Sequence, residues 1–314
     1  VGQQDIGTKK VSVVVAVYYN EGSLPLLFGE LLEVEEALRQ KNLQLELIFV
    51  DDGSGDDSLE ELLKIKQQRE STKVIKLTRN FGAVHASKTG LQFVTGDCYL
   101  ILAADLQDPP ELIPKMVDQW LDGAKYVICS RTDRDDPVTS KIFAYIFYKL
   151  VRLLVIRDYP AGGFDLALMD RAMLPYVQQG GKNINPSLFT YWLGYKPSIL
   201  PYKRRQRIHL KSRWTFSKKL KLFLDSILGF SIVPIRMISL IGLLVSLVSL
   251  GYGLSVVIHA IIGRTDVPGF ATLAGLISFL LGLAIVMLGV IGEYIWRIFD
   301  EMNKRPEAVI DRIY

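Results

Sequence analysis

Acidic and amide side chains recur in this chain directly after apolar runs. Tyr18-Tyr19-Asn20-Glu21 follows VSVVVAV, Asp51-Asp52-Gly53-Ser54 follows LELIFV, and Asp105-Leu106-Gln107-Asp108 follows CYLILAA. Arg79-Asn80-Phe81-Gly82 and Ser130-Arg131 close two further runs. Carboxylate and amide oxygens so placed suit two tasks: accepting hydrogen bonds from a base or ribose, and holding a hard divalent cation against a diphosphate. Asp105 is the candidate metal ligand, with Gln107 and Asp108 beside it. Two prolines then stop the strand and open a helix at Pro110, with Glu111 in its first turn. Asp51 is a candidate for the base or ribose, although Asp-Gly alone is a common turn. Arg79 and Arg131 suit phosphate, which a guanidinium grips bidentately. One acid after one strand is ordinarily a cap or a turn; five polar strand ends together argue a site.

Those clusters need a sheet whose strands end on one side. Apolar, β-rich runs at 11–17, 45–52, 74–78, 98–105 and 125–131 alternate with helical patterns near 24–40, 56–69, 83–94 and 110–122. Val11–Val17 is almost wholly β-branched, as a strand covered on both faces requires. The alternation predicts an open, mostly parallel α/β sheet, and such sheets bind ligands at the carboxyl ends of their strands. Residues 134–200 are less regular. They hold a helical stretch at 141–156, a turn at 159–165 flanked by Asp158 and Asp165, and a helix near 188–193. Cys98 and Cys129 both lie in strand-like runs and read as buried, reduced thiols.

The last third changes character. Nine Lys or Arg and no acid lie between Lys203 and Lys221, leading into an amphipathic segment at 214–230 that suits a membrane surface. From Met237 to Gly263 and from Val267 to Gly292 there is no Asp, Glu, Lys or Arg. Each run exceeds the ~20 apolar residues a helix needs to span a bilayer. The organisation expected is a catalytic domain over 1–210, a basic juxtamembrane segment over 211–233, two spans over 234–298 (about 235–262 and 270–295), and a tail over 299–314. Lys and Arg flank the pair while the loop between holds only Arg264, which places both termini in the cytoplasm and the protein in the inner (plasma) membrane. The opening VGQQDIGTKK lacks the apolar core of a leader, in keeping with a cytoplasmic first domain. The basic run can face anionic headgroups and an acceptor phosphate; no nucleic-acid partner is expected.

Six segments carry a resemblance: VVVAVYYNEGSLP at 13–25, FVDDGSGDDS at 49–58, LTRNFGAVHAS at 77–87, AADLQDPPEL at 103–112, AGGFDLALMDR at 161–171 and KSRWTFSKKLKLFLDS at 211–226. The chain resembles, over nearly its whole length, the polyprenyl-phosphate glycosyltransferases of glycosyltransferase family two. It is nearer the two-span glucosyltransferases of O-antigen modification than single-domain dolichol-phosphate mannose synthases. The resemblance implies a GT-A catalytic fold with interfacial amphipathic helices and two C-terminal transmembrane helices. It implies a Mg²⁺ or Mn²⁺ cofactor, a nucleotide-sugar donor, inverting transfer to a polyprenyl phosphate, and a homo-oligomer, tetramers included. It carries nucleotide contacts onto Tyr18, Glu21 and Asp51, metal contacts onto Asp105 and Gln107, and phosphate or acceptor contacts onto Arg131, Arg205, Arg207, Ser212 and Arg213. An acceptor phosphate is already ionised near neutral pH, so positioning and charge neutralisation dominate; if an acid assists, Asp158 and Asp165 are the candidates. Three departures stand out. Ala103 occupies a place where the family often has an acid, Ala16 one where proline is usual, and Leu210 one where glycine is common. The sugar expected is glucose from UDP-glucose, with mannose or an aminosugar as alternatives. Two other readings compete. A processive polysaccharide synthase would need a glutamine where Leu210 precedes Arg213-Trp214, and more spans. A non-enzymatic nucleotide-sugar sensor is favoured by Ala103.

Overall fold

The computed structural model describes residues 8–131, 138–182, 184–205, 216–262 and 269–314. In chain order the elements are β1 (Lys10–Val17), α1 (Leu24–Arg39), β2 (Gln44–Asp51), α2 (Ser58–Gln68), β3 (Lys73–Leu77), α3 (Ala83–Leu91), β4 (Cys98–Ala103), α4 (Ile113–Leu121), β5 (Tyr126–Arg131), α5 (Val138–Leu154), β6 (Leu166–Asp170), α6 (Leu174–Gln178), α7 (Pro186–Trp192), β7 (Ser198–Tyr202), α8 (Phe216–Leu228), α9 (Val233–Ile261), α10 (Phe270–Met302) and β8 (Ile310–Ile313). They form two compact units. One runs to Ser226 and takes in Pro306–Tyr314; the other is Ile227–Arg305.

The first unit is built on an eight-stranded sheet in the order β7-β5-β6-β4-β1-β2-β3-β8. β1 lies parallel between β2 and β4, with Val17 opposite Asp51 and Ala16 opposite Ala103. This register brings the carboxyl ends of β1, β2 and β4 level, so the loops that follow them meet. α1 shows why the chain folds this way locally. Pro25 sits in its first turn, and Leu24, Leu27, Phe28, Leu31, Val34 and Leu38 recur at helical spacing and are all buried. Each such side chain contributes roughly 1.5–3 kcal/mol of burial. Cys98 and Cys129 are buried and free, and burial pushes the Cys129 thiol up to about 12.

Two strands depart from the expected sheet. β6 runs antiparallel between β4 and β5, and β8 runs antiparallel on β3. The sheet is therefore mixed. Runs of five and four residues carry too little periodicity to separate a strand from a loop. The segment beyond 299, expected as a tail, instead completes α10 and then joins the catalytic sheet. There Lys76 pairs with Asp311 at 2.7 Å, and the Tyr314 amide donates to Val74 at 2.8 Å.

The second unit holds two helices long and apolar enough to cross a membrane, with spans over Val233–Val256 and Phe279–Met302. Gly242 of α9 faces the Met287 side chain of α10, whose terminal methyl a Cβ there would meet at 2.7 Å. The Tyr294 hydroxyl donates to the Ser231 carbonyl at 3.2 Å.

The returning segment is held by charge as well as by pairing. Glu307 lies 3.1 Å from His85 Nδ1 and accepts from Lys88 Nζ at 2.6 Å, while Lys88 also donates to the Gly180 carbonyl at 2.6 Å. Burial alone would raise the Glu307 carboxyl, but His85 and Lys88 hold it below its ordinary value of 4.5. A depressed carboxylate stabilises the fold above its unfolded pKa, and that stability is lost as pH falls through the folded value. Glu307→Gln should therefore cost about 1–3 kcal/mol at neutral pH. In urea unfolding the gap from the unsubstituted protein should close as pH drops below the ordinary glutamate range.

Candidate active site

The loops after β1, β2 and β3 are stitched together by side chain to backbone bonds. The Tyr19 amide donates to Ser54 Oγ at 3.1 Å, the Asn20 amide to Ser58 Oγ at 2.8 Å, and the Asp57 amide to Glu21 Oε2 at 3.0 Å. Asp52 is buried and accepts from the Phe81 and Gly82 amides at 2.7 and 2.9 Å. Gly53 makes the crossing possible. Its φ is +68°, and a Cβ would lie 2.6 Å from the Arg79 carbonyl carbon. Arg79 itself is exposed, its guanidinium carbon 4.1 Å from the centre of the Phe81 ring.

Asp51 is fully buried at the end of β2. Its Oδ1 accepts from the Ser54 amide at 3.2 Å, while Oδ2 is buried without a partner. Burial raises its pKa, against the Ser54 bonds that lower it. A buried acceptor with nothing to accept from is costly and suits a ligand N–H or O–H. Tyr18 and Tyr19 stand beside this loop pair, their rings edge to face at 4.7 Å.

The loop after β4 is strained where chemistry needs it. Leu106 is buried with φ +59°, a left-handed conformation a branched side chain seldom adopts. It carries the chain from half-buried Asp105 to half-buried Gln107, whose amide donates to Asp105 Oδ1 at 3.3 Å. Among the described residues no cluster of three or more His, Cys, Asp or Glu could cage a metal by itself. One carboxylate with one side-chain amide fits a different mode. Mg²⁺ characteristically takes one or two protein carboxylates, with substrate phosphates and water completing its shell. The donor set therefore fits a cation that binds together with a diphosphate.

Across the sheet, Arg131 forks onto Asp165. Its Nη2 donates to Oδ1 at 2.6 Å, and its Nε donates to Oδ2. The buried Tyr202 hydroxyl lies 2.8 Å from Asp165 Oδ2 and 2.9 Å from Asp108 Oδ1, one phenol proton serving both. Burial would raise the Asp165 carboxyl, but Arg131 overrides it and holds it below the ordinary value. Asp165 is thus an ion-paired anchor and a weak base. Arg205 is also committed: Nη1 binds both Glu30 oxygens at 2.7 and 2.9 Å, Nη2 binds Glu111 at 2.8 Å, and its amide donates to the Gln107 carbonyl at 3.1 Å.

A model described as glycosyl transferase family 2 matches residues 12–174, which contain every loop just described except the 202–205 segment. The chain belongs to this family. It is 34% identical to an uncharacterised glycosyltransferase of Synechocystis, over 98% of this chain and 96% of that one. It is 33% identical to a prophage bactoprenol glucosyl transferase homolog of Escherichia coli, covering 97% and 99%. It is 32% identical to a bactoprenol glucosyl transferase of Shigella phage SfX, covering 96% and 98%. The GT-A type of α/β domain expected for the family is the fold observed.

Within this family-2 domain the expected site residues divide. Asp51 ends β2, and Tyr18, Glu21, Arg79, Asp105 and Gln107 lie in the loops that follow β1, β3 and β4. Arg131 and Asp165 lie beside them but are paired with each other, and Arg205 is engaged with Glu30, Glu111 and the Gln107 carbonyl. Asp158 is exposed, and its carbonyl accepts from the Tyr191 hydroxyl at 2.7 Å. Arg207, Ser212 and Arg213 lie outside the described residues. Sequence reasoning missed Tyr202 and Glu30, which no motif marks, and the bracing role of Asp52, and it named Arg204 only as one member of the basic run that could hold an acceptor phosphate. Asp51 and Asp52 should separate experimentally. Asp52→Ala leaves two amides unbonded and should cost about 1–3 kcal/mol for each. Asp51→Asn removes a buried, half-unpartnered charge and should leave the unfolding midpoint in urea unchanged or higher.

Proposed function

We propose that the protein transfers a hexose, with glucose from UDP-glucose as the first candidate, to a polyprenyl phosphate. The observation that carries this reading is the near full-length likeness to bactoprenol glucosyl transferases of a chain whose Asp51 ends β2 and whose Asp105 and Gln107 follow β4, the two strands that flank β1. The base and ribose fall to Asp51, with Tyr18 and Glu21 in the adjoining loop. Asp105 and Gln107 would hold Mg²⁺ or Mn²⁺. When bound, such an ion offsets the charge that develops on the departing diphosphate. An acceptor phosphate oxygen attacks the anomeric carbon from the face opposite the leaving group. The C–O bond to the diphosphate breaks, the configuration inverts, and the nucleoside diphosphate leaves with the bonding pair. No proton need be removed from an ionised phosphate. The weak basicity of Asp165 supports a mechanism that rests on positioning.

A membrane setting supports a lipid acceptor. Both ends of the two-helix unit join the catalytic unit, because β8 pairs within the catalytic sheet. Two spans, with the amino-terminal domain and the carboxyl terminus on one side, satisfy that connectivity. The Lys and Arg flanking them support a cytoplasmic location for that side. α5 exposes Ile142, Phe143, Tyr145 and Ile146 next to Lys141 and Lys149, a surface suited to a lipid interface.

Transfer of radiolabelled glucose from UDP-glucose to undecaprenyl phosphate in detergent tests the reading. Labelled lipid should form with Mg²⁺ or Mn²⁺ and be absent with chelator. Label from GDP-mannose alone would change the sugar, and no transfer from any donor would favour a nucleotide-sugar sensor. Asp105→Asn should fold normally and lose at least about 100-fold in metal-dependent turnover.

A further inference from the structure

Three arginines stand beside the 105–108 loop, and two are fully engaged. Arg131 spends its fork on Asp165, and Arg205 binds three carboxylate oxygens of Glu30 and Glu111. Arg204 differs. Its Nε is buried without a hydrogen-bond partner. The nearest carboxylate oxygen, Asp108 Oδ1, is 3.5 Å away, near enough for charge attraction but not for a hydrogen bond. Asp108 is meanwhile served by the Tyr202 hydroxyl at 2.9 Å. A guanidinium N–H buried without an acceptor is uncommon and costly in a folded protein. Its position is fixed from both sides. Tyr202 ties the preceding residues to Asp108 and Asp165, and the Arg205 amide is bonded to the Gln107 carbonyl. Arg204 is therefore held within one residue of the loop that carries Asp105 and Gln107, with donor capacity to spare.

We infer that Arg204 holds a phosphate oxygen of the reacting pair, while Arg205 is the clamp that presents it. The inference rests on the proposed transfer to a lipid phosphate only for the identity of the acceptor. A planar guanidinium suits a phosphate better than an ammonium does, because two parallel N–H bonds fix its orientation. The phosphate belongs either to the donor's diphosphate or to the acceptor, and the two are separable by measurement.

The test is direct binding to the full-length protein in detergent, with UDP in the presence of Mg²⁺ as one probe and farnesyl phosphate as the other. Arg204→Ala should weaken one probe by about tenfold or more while the affinity for the other is kept, whatever the melting temperature. The probe affected names the phosphate held. Arg204→Lys should recover only part of the loss, since it restores charge without the fork. Arg205→Ala, in contrast, should lower the melting temperature and weaken both probes. Wild-type affinity for both probes in Arg204→Ala would overturn the inference, as would a lowered melting temperature with both affinities kept, which would make Arg204 a counter-charge for Asp108. Binding does not depend on turnover. A wild-type protein that binds both probes yet transfers no sugar would sink the substrate reading and leave the Arg204 result standing.

Discussion

Carboxylates buried at the ends of strands constrain everything around them. A charge taken out of water without partners is expensive, so each must recruit donors from neighbouring loops. Asp52 recruits the amides of Phe81 and Gly82, Asp108 recruits Tyr202, and the more open Asp165 pairs with Arg131. Every one of these bonds joins segments far apart in sequence. The loops after β1, β2, β3 and β4 therefore settle as one body, with the chain from β7 laced onto its far edge. Where this pairing stops is as informative as where it holds. Asp51 Oδ2 and Arg204 Nε are buried and unserved, one acceptor on the β2 side and one donor on the β7 side. A negatively charged ligand with N–H groups at one end and phosphate oxygens at the other complements that arrangement.

The same logic explains the strained turn at Leu106. A left-handed residue at the end of β4 costs free energy that ordinary packing does not require. It turns the chain so that Asp105 and Gln107 are both half exposed while Leu106 between them is buried. A pair of oxygens of this kind is too few to cage an ion, and the rest of the shell would come from substrate. On the proposed reading metal and nucleotide would bind as a unit, which would tie the ion to productive encounters.

Much of this was legible in the sequence, for a physical reason. Parallel strands buried on both faces are unbroken apolar runs, and ligand sites of such sheets lie where the runs end. Position marked Asp51 and Asp105 as candidates, and the family resemblance added Gln107 as a metal contact. β6 and β8 could not be picked out, being short and defined by pairing with distant strands. The contacts of Tyr202 and Arg204 were hidden because nothing in SILPYKRR records which loop it will meet. The resemblance made Arg205 a phosphate or acceptor contact, yet its partners Glu30 and Glu111 lie 175 and 94 residues away. Charge is visible in a sequence, but commitment of that charge is a property of the fold.

The central claim is that donor and cation meet at the ends of β1, β2 and β4. A structure of the full-length protein in detergent with UDP and Mn²⁺, with the ion located by its anomalous scattering, tests it most directly. The account predicts manganese between the diphosphate and the Asp105 and Gln107 side chains, with the base or ribose bonded to Asp51 Oδ2. Manganese bound elsewhere, or a nucleotide whose base lies away from Asp51, would contradict it.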